Sequence, residues 1–304
     1  MDGPLAGWGQ QGSPTALTVG VFDGVHIGHR RILERLAGRG LSTTVLTFEP
    51  HPAEVLSPGT DPRLITSIEE RVALLERAGV DAVGVLDLSE IRDFEPERFV
   101  AEVLVGSLAM SCMVIGSDFH FGRNRAGDVS FLRDAGERHG FDLVVVDLVA
   151  TDGVVTSSRI RGLIAEGEVL AAAALLGSRY RLSNVVTRGE KRGTGLGFPT
   201  ANLRPPARKV IPAHGIYAAF AEVGEQRLPA AVSVGVRPTF GGGELLIEAY
   251  LLDFDGDLYG KVVALEFVER IRPELRFDTA DALVDRMSED VAAVREILNA
   301  VAAL

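Results

Sequence analysis

The sequence predicts an α/β protein in two parts. A mainly parallel sheet covered by helices on both faces comes first, and a small antiparallel barrel crossed by a terminal helix follows. Three observations lead there. Apolar, β-branched runs alternate with amphipathic helical spacing as far as about Thr156. From about Arg181 the chain changes to strands separated by Gly and Pro turns. At the end, Leu283, Met287, Val291, Val294, Leu298 and Val301 form one apolar helical stripe. Strands separated by helices imply parallel crossovers, whereas strands joined by short turns pair antiparallel.

The elements follow in order. Ala16 to Val21 reads as a strand, and Arg30 to Ala37 places Ile32, Leu33 and Leu36 on one helical face. Thr43 to Phe48 is the second strand. Ser67 to Ala78 is a helix whose start has a capping box, Ser67 with Glu70. Asp81 to Leu86 is a strand, Pro96 to Leu104 a helix with Pro near its start, and Met113 to Ile115 a strand. Val129 to His139 is a helix and Leu143 to Val146 a strand. Two short helices, Arg159 to Ala165 and Val169 to Leu176, precede a join expected between Gly177 and Val185. The barrel strands are Val185–Thr187, Gly215–Val223, Leu228–Val234, Leu245–Phe254 and Lys261–Val268. Asp278 is the expected N-cap of the last helix, and Asp281 favours its first turn.

Composition limits the function. The 304 residues carry 31 basic and 42 acidic side chains, a net charge of -11. A general nucleic-acid binder advertises a basic field, and this chain does not. The longest apolar run, Val169 to Leu176, falls well short of the roughly 20 residues of a membrane span. The single Cys112 has no internal disulfide partner, which points to a reducing compartment, and its apolar neighbours suggest a buried strand thiol. The N-terminus lacks a basic flank and an apolar core, so no signal peptide is expected, and Met1 to Ser13 is Gly-rich and expected to fray. Charge is uneven: Arg159 to Lys209 holds ten basic and three acidic residues, Leu251 to Leu304 six and twelve. A local basic stretch suits small phosphorylated ligands, and a mixed solvated surface has the same composition.

The most informative segment is Gly20-Val21-Phe22-Asp23-Gly24-Val25-His26-Ile27-Gly28-His29. It follows a predicted strand and opens a helix, where free N–H groups attract phosphate. Gly24 and Gly28 let the backbone turn and approach a ligand closely. His26 and His29 share one side of the helix start, placed to hydrogen-bond an α-phosphate as its charge shifts. There is no Walker A loop: Gly256 to Val262 has the wrong spacing and no hydroxyl after Lys261. A zinc site from His26, His29, His51 and Asp23 would lack both the H-E-x-x-H spacing and Cys ligands.

This segment resembles the H-x-G-H signature of the nucleotidyltransferase superfamily and, at full length, the first block of bacterial FAD synthetases. Phe48-Glu49-Pro50-His51-Pro52 is similar to the second block of that family, Gly116-Ser117-Asp118-Phe119-His120-Phe121-Gly122 to the third, and Thr156-Ser157-Ser158-Arg159-Ile160-Arg161 to the fourth. The resemblance implies a Rossmann-like nucleotidyltransferase domain. In it His26 and His29 contact ATP phosphates during adenylyl transfer, Ser157 and Arg161 hold them from the far side, and Asp118 with Phe119 lies near FMN. Gly20, Phe22, Asp23, Gly24, Gly28 and His51 belong to the same nucleotide site. Gly122 to Arg125 is either a mobile basic loop near FMN or plain surface charge. His120 departs from the Arg often found there.

In the second half, Gly193-Thr194-Gly195-Leu196-Gly197-Phe198-Pro199-Thr200-Ala201-Asn202 combines three Gly residues with hard oxygen donors suited to Mg²⁺ and phosphate. A structural turn uses the same Gly and Pro residues. Glu248 shares a strand face with Leu246, Tyr250 and Leu252. A carboxylate on an apolar face is costly unless paired or functional, and such a group can take a proton from an attacking alcohol. Asp253, Asp255 and Asp257 lack the EF-hand pattern and suit a solvated hairpin turn.

These residues resemble the riboflavin kinase domain. That resemblance makes Gly193, Gly197, Pro199, Thr200 and Asn202 an ATP–Mg²⁺ motif, with Thr200 and Asn202 toward the metal. It makes Glu248 the catalytic base and puts Arg272, in Arg270 to Phe277, on the flavin side. Ser233 to Phe240 is a variant of the family's G-x-N-P-T loop. Departures are Thr194 where Arg is common, Arg237 where Asn is common, and Ser178-Arg179 where Arg-Pro is common.

The resemblance spans roughly residues 15 to 300. It implies a bifunctional enzyme with an FMN adenylyltransferase domain at 1–180 and a riboflavin-kinase antiparallel β-barrel with terminal helix at 181–304. Its substrates would be ATP, riboflavin and FMN, its product FAD and its cofactor Mg²⁺. It would work in the cytoplasm as a monomer or weak homo-oligomer, with no general nucleic-acid or membrane partner. The alternatives are a riboflavin kinase with a regulatory nucleotide-binding first domain, and a non-catalytic flavin-binding protein.

Overall fold

The structure is a computed structural model and describes residues 13–188, 195, 197–237 and 244–303. Of the segment expected to fray, residues 1–12 lie outside the described residues. The chain divides into two compact units, Met1–Ser157 and Ser158–Leu304.

The first unit runs β1 (Thr15–Val19), α1 (Ile27–Ala37), β2 (Ser42–Phe48), α2 (Pro52–Leu56), α3 (Ile68–Arg77), β3 (Ala82–Leu86), α4 (Leu88–Ile91), α5 (Pro96–Arg98), β4 (Met110–Gly116), α6 (Val129–His139) and β5 (Asp142–Val146). A small hairpin, β6 (Ala150–Thr151) with β7 (Gly153–Val154), follows. The sheet order is β3-β2-β1-β4-β5 with every pairing parallel. Successive strand residues face opposite ways. Leu17, Val19, Leu46, Met113 and Ile115 pack with Phe99, Val103 and Leu132 on one face. Ala16, Val45, Cys112 and Val114 pack with Leu33, Leu36 and Leu75 on the other. Cys112 is therefore the buried strand thiol the sequence predicts, and burial pushes its pKa up. The capping box of Ser67 and Glu70 is also present at α3.

One predicted helix differs in kind. After α5 the chain continues as a π-helix, Phe99–Ser107, in place of an α-helix to Leu104. Gly106 fits there because a Cβ would lie 2.9 Å from the Ala101 carbonyl oxygen. The topology also locates a ligand site. From β1 the order proceeds one way through β2 and β3, and from β4 the other way to β5. The carboxyl ends of β1 and β4 thus flank the switch point where open α/β sheets bind ligands.

The second unit begins within α7 (Ser157–Glu166), one residue after its start, and continues with α8 (Val169–Leu176). Then come β8 (Tyr180–Thr187), β9 (Ala201–Leu203), β10 (Gly215–Val223), β11 (Gln226–Arg237), β12 (Glu244–Leu251), β13 (Val262–Arg272) and α9 (Ala280–Ala302). The strands close a barrel in the order β10-β11-β12-β9-β8-β13. Tyr217, Val232, Ala249, Val263, Leu265 and Phe267 are each fully buried. On the opposite face, Ala218, Phe220 and Val268 pack with Val294 and Leu298 of α9.

Two barrel expectations need correction. The first strand starts at Tyr180 and not Val185, since Tyr180 and Leu182 are buried while Arg181 between them reaches solvent and pairs with Glu222. The N-cap of α9 is Thr279 and not Asp278: Thr279 is extended and its hydroxyl accepts from the Ala282 N–H at 3.2 Å. Among the described residues no helix is long and apolar enough to cross a membrane.

Leu298 is 2% exposed at the barrel–helix contact. Leu298→Ala is expected to lower the stability of the chain by about 3 kcal/mol in urea unfolding. A change below about 0.5 kcal/mol, the size of an ordinary surface substitution, would contradict that packing.

Two candidate active sites

The turn after β1 is strained and heavily braced. Phe22 and Val25 have φ of +54° and +42°, and Gly24 has φ of +82°. Only the glycine adopts such a backbone freely. Asp23, 1% exposed, holds the turn: its carboxylate accepts from the backbone N–H of Ile65 and Thr66 and from the Thr66 hydroxyl at 2.9–3.1 Å. Thr66 Oγ1 in turn accepts from the Gly24 N–H at 3.1 Å. Ser157 Oγ donates to the Asp23 carbonyl at 2.9 Å. These bonds of Asp23 and Ser157 support the turn itself.

The brace presents two histidines. His26 is the N-cap of α1, and its Nδ1 accepts from the His29 N–H at 3.3 Å. The two rings stack with centroids 3.6 Å apart and 15° between planes. Gly28 makes room, because a Cβ there would lie 3.1 Å from the His26 ring. The Phe22 ring lies 4.8 Å from that of His29, and a Cβ on Gly20 would meet the Phe22 ring at 3.0 Å. Burial pushes the His26 pKa down to about 4, against a smaller opposing pull from Asp23. Burial holds His29 well below the usual histidine range, helped by His26 and then Arg71. Both rings are thus neutral at pH 7. His29 Nδ1 is buried and has no hydrogen-bond partner among the described residues.

Across the switch point, Ser117 to His120 leave the end of β4. The Ser117 N–H donates to Val146 O at 3.0 Å and the Phe119 N–H to Gly116 O at 3.2 Å. Asp118 is exposed, and its Oδ1 occupies space 2.9 Å from where a Cβ of Gly116 would stand. Phe119 stacks on Phe121 at 5.6 Å. Arg123 of the basic loop pairs with Glu95, and its N–H donates to Phe94 O at 2.8 Å. His51 caps α2, accepting from the Ala53 N–H at 3.1 Å. Arg161 lies on α7, in the second unit, and donates to Ser158 Oγ at 3.0 Å. Among the described residues no group of three or more His, Cys, Asp or Glu side chains is arranged to hold a metal.

Sequence reasoning missed Arg71. It is fully buried on α3, and its Nη1 donates to Thr47 Oγ1 at 3.2 Å and Phe48 O at 3.1 Å. The available signal was its place four residues before Leu75, on the buried stripe of α3.

The second site is a cavity of about 660 Å³ in the second unit, lined by barrel strands and α9. Leu246, Glu248 and Tyr250 of β12 line it, as their shared strand face predicts, while Leu252 lies beyond the strand in the barrel–helix core. Register sets Glu248 between Asn202 of β9 and Ser233 of β11. Asn202 is 7% exposed, its Nδ2 donates to Thr200 O at 3.4 Å, and its Oδ1 is a buried acceptor with no partner among the described residues. Such an orphaned hard oxygen beside a carboxylate fits Mg²⁺, which takes few protein ligands and completes its shell with phosphate and water.

Leu283, Met287 and Val291 of α9 supply apolar wall, and Phe198 meets Tyr250 edge-on at 5.4 Å. Arg272 also lines the cavity and grips Asp290 of α9 with a two-pronged ion pair at 2.6–3.1 Å. Gly197 has φ of +88°, and Pro199 is exposed. Gly193, Thr194 and residues 238–240 lie outside the described residues.

Comparisons with known proteins agree with this division. A family model described as FAD synthetase matches residues 9–160, and one described as riboflavin kinase matches residues 176–298. A Pseudomonas fluorescens protein named bifunctional riboflavin kinase/FMN adenylyltransferase is 37% identical over 287 residues, 92% of each chain. Proteins of the same name from Escherichia coli K12 and Bacillus subtilis 168 are 35% and 31% identical, each over 290 residues. The E. coli match covers 93% of this chain and 92% of the relative, the B. subtilis match 92% of both. A solved Streptococcus pneumoniae structure described as a macrolide-efflux protein superposes with a TM-score of 0.89 at 31% identity, covering 96% of this chain and 97% of that one. Two halves matched in order, and relatives aligned along nine-tenths of both chains, show that this chain belongs to the bifunctional riboflavin kinase/FMN adenylyltransferase family.

Proposed function

We propose that residues 1–180 carry out the adenylyl transfer and residues 181–304 the phosphoryl transfer of a chain that performs both. The enzyme phosphorylates riboflavin to FMN with ATP and adenylylates FMN to FAD with a second ATP, releasing pyrophosphate. The observation that carries the division is chemical. One unit presents a stacked pair of neutral imidazoles at a helix start, and the other a carboxylate beside an unsatisfied amide oxygen in an apolar-walled cavity.

In the kinase half the flavin ring enters the cavity between barrel and α9, against Leu283, Met287 and Val291. Arg272, fixed by Asp290, faces its polar side. Glu248 takes the proton of the ribityl 5′-hydroxyl as that oxygen bonds to the γ-phosphorus of ATP; the bond from that phosphorus to the β-phosphate oxygen breaks, and ADP leaves. Thr200 and Asn202 would hold Mg²⁺, which when bound neutralises charge on the transferred phosphoryl group. Gly197 and Pro199 shape the loop beside the nucleotide.

In the adenylyl half an oxygen of the FMN phosphate attacks the α-phosphorus of ATP. The α–β bridging bond breaks and pyrophosphate leaves. His26 and His29 donate hydrogen bonds to the α-phosphate, and its negative charge favours their protonated forms as the transition state develops. Ser157 holds the departing phosphates, while Asp118 and Phe119 lie on the FMN side. Gly20, Phe22, Asp23, Gly24, Gly28 and His51 build and cap the turns that hold this site. A lone buried cysteine supports a cytoplasmic home, and small-molecule substrates require no macromolecular partner, the chain working as a monomer or weak homo-oligomer.

Two variants test the division. Glu248→Gln is expected to slow FMN formation from riboflavin by roughly 10²- to 10⁴-fold and leave FAD formation from FMN intact. His29→Ala is expected to slow FAD formation by roughly 10²- to 10³-fold and leave FMN formation intact. Full FMN production by the first, or full FAD production by the second, would remove that residue from its role.

The histidine stack also sets an acid limit. A histidine with its pKa lowered on folding binds fewer protons when folded, so acid favours the unfolded chain. Stability is complete above pH 6.5 and is withdrawn as the pH falls toward 4, with His26 accounting for about 3 kcal/mol. In Tm measurements from pH 7.5 to 4, His26→Asn, which keeps a capping side chain, should show a shallower fall. An unchanged slope would mean the ring is not buried neutral.

A further inference from the structure

Arg71 has no part in the steps above, yet its position is costly. A guanidinium keeps its charge in proteins, and burying one is unfavourable unless it is well met. Arg71 is 0% exposed. Its Nη1 donates to Thr47 Oγ1 and to Phe48 O, at the carboxyl end of β2. The same Thr47 hydroxyl donates to Val21 O at 2.8 Å. Val21 precedes Phe22, whose ring packs against His29. A continuous path therefore runs from the guanidinium through one hydroxyl to the backbone of the histidine turn. The charge of Arg71 also reaches His29, where it opposes protonation.

We propose that Arg71 is a positioning residue for adenylyl transfer: through Thr47 it fixes the Val21–Phe22 turn behind His29, and its buried charge supplies a fixed positive field where phosphate charge develops. It acts through the turn and through His29. The proposal rests on the adenylyl-transfer reading of that histidine. Groups from three elements bear on the titration of the stack. His26 faces His29 from the N-cap of α1, Arg71 acts on His29 from α3, and Asp23 pulls on His26 from within the turn. Removing Arg71 therefore makes His29 easier to protonate.

The test uses the full chain with Arg71→Met, Arg71→Lys and Thr47→Val. It reads kcat and KM for FAD formation across pH, FMN formation from riboflavin in the same preparation, and the His29 ring titration by NMR. Arg71→Met is expected to lower kcat for FAD formation roughly 10- to 100-fold with KM for ATP little changed, to leave FMN formation unchanged, and to raise the His29 titration point. Arg71→Lys should keep the low titration point and recover most of kcat. Thr47→Val should lower kcat while leaving the His29 titration in place, because the charge stays and the link to Val21 is cut.

A folded Arg71→Met protein with parental FAD kinetics or a parental His29 titration overturns the proposal. If that variant does not fold, parental kinetics in Thr47→Val, or a Lys variant whose His29 titration is no longer held low, overturns it instead. The two readings fail separately. Undiminished FAD formation by His29→Ala sinks the reading of the histidine, whereas an impaired His29→Ala beside an unimpaired Arg71→Met sinks the role of Arg71 alone.

Discussion

A carboxylate removed from water costs several kcal/mol unless its lone pairs are met. Asp23 is 1% exposed and meets that cost with two backbone N–H groups and a hydroxyl from positions 65 and 66. These charge-assisted bonds are among the strong ones. They tie the chain to itself across 42 residues and leave the turn no room to relax. That matters because Phe22 and Val25 sit at positive φ, a strain of about 1–3 kcal/mol each that persists only where neighbours over-determine it. The Gly24 N–H and Ser157 Oγ add two more ties. The stacking of His26 on His29, and the bare Gly28 beneath the ring, follow from a turn so fixed.

Strand register does in the barrel what Asp23 does in the turn. Glu248 sits opposite Asn202 on one side and Ser233 on the other, so its place is set by backbone ladders on both flanks. The far wall is set by an ion pair. Arg272 and Asp290 are 10% and 5% exposed, and losing Asp290 would leave the buried Arg272 charge without its carboxylate. The pair ties the end of β13 to α9 with cavity space beside it. Both sites thus follow one rule: groups that must meet phosphate are held on rigid elements by bonds to atoms that take no part in the chemistry.

Much of this was readable from residue order. Period-2 and period-3.6 spacing located nearly every strand of the sheet and the terminal helix, because each has one face against a core. The histidine turn and Glu248 were legible for the opposite reason: Gly24 and Gly28 in a short span, and a carboxylate on an apolar face, are odd unless they serve something. What was missed shares a cause. The strand Ala201–Leu203 is too short to show a period and hides behind Gly and Pro. Thr279 displaced Asp278 as N-cap because helix starts are decided by one residue's backbone. The inward role of the Asp23 carboxylate and the burial of Arg71 depend on partners more than twenty residues away, which local spacing does not carry.

The charges at the two sites differ in the sense their reactions require. On the proposed division of labour, the adenylyl site must admit FMN phosphate, an attacking group already negative and in no need of a base. A carboxylate of the histidine turn facing that phosphate would repel it. The carboxylate of the histidine turn, Asp23, faces inward onto backbone N–H groups, leaving neutral imidazoles and a buried guanidinium around the turn. The kinase site must instead activate an alcohol, which is a poor nucleophile until its proton has somewhere to go. There a carboxylate does face the cavity, flanked by a neutral amide oxygen and a hydroxyl residue. Both reactions consume the same nucleotide, so the nucleophile is what distinguishes them. The polarity of each site is complementary to that nucleophile, and exchanging the two sets of side chains would disable both steps.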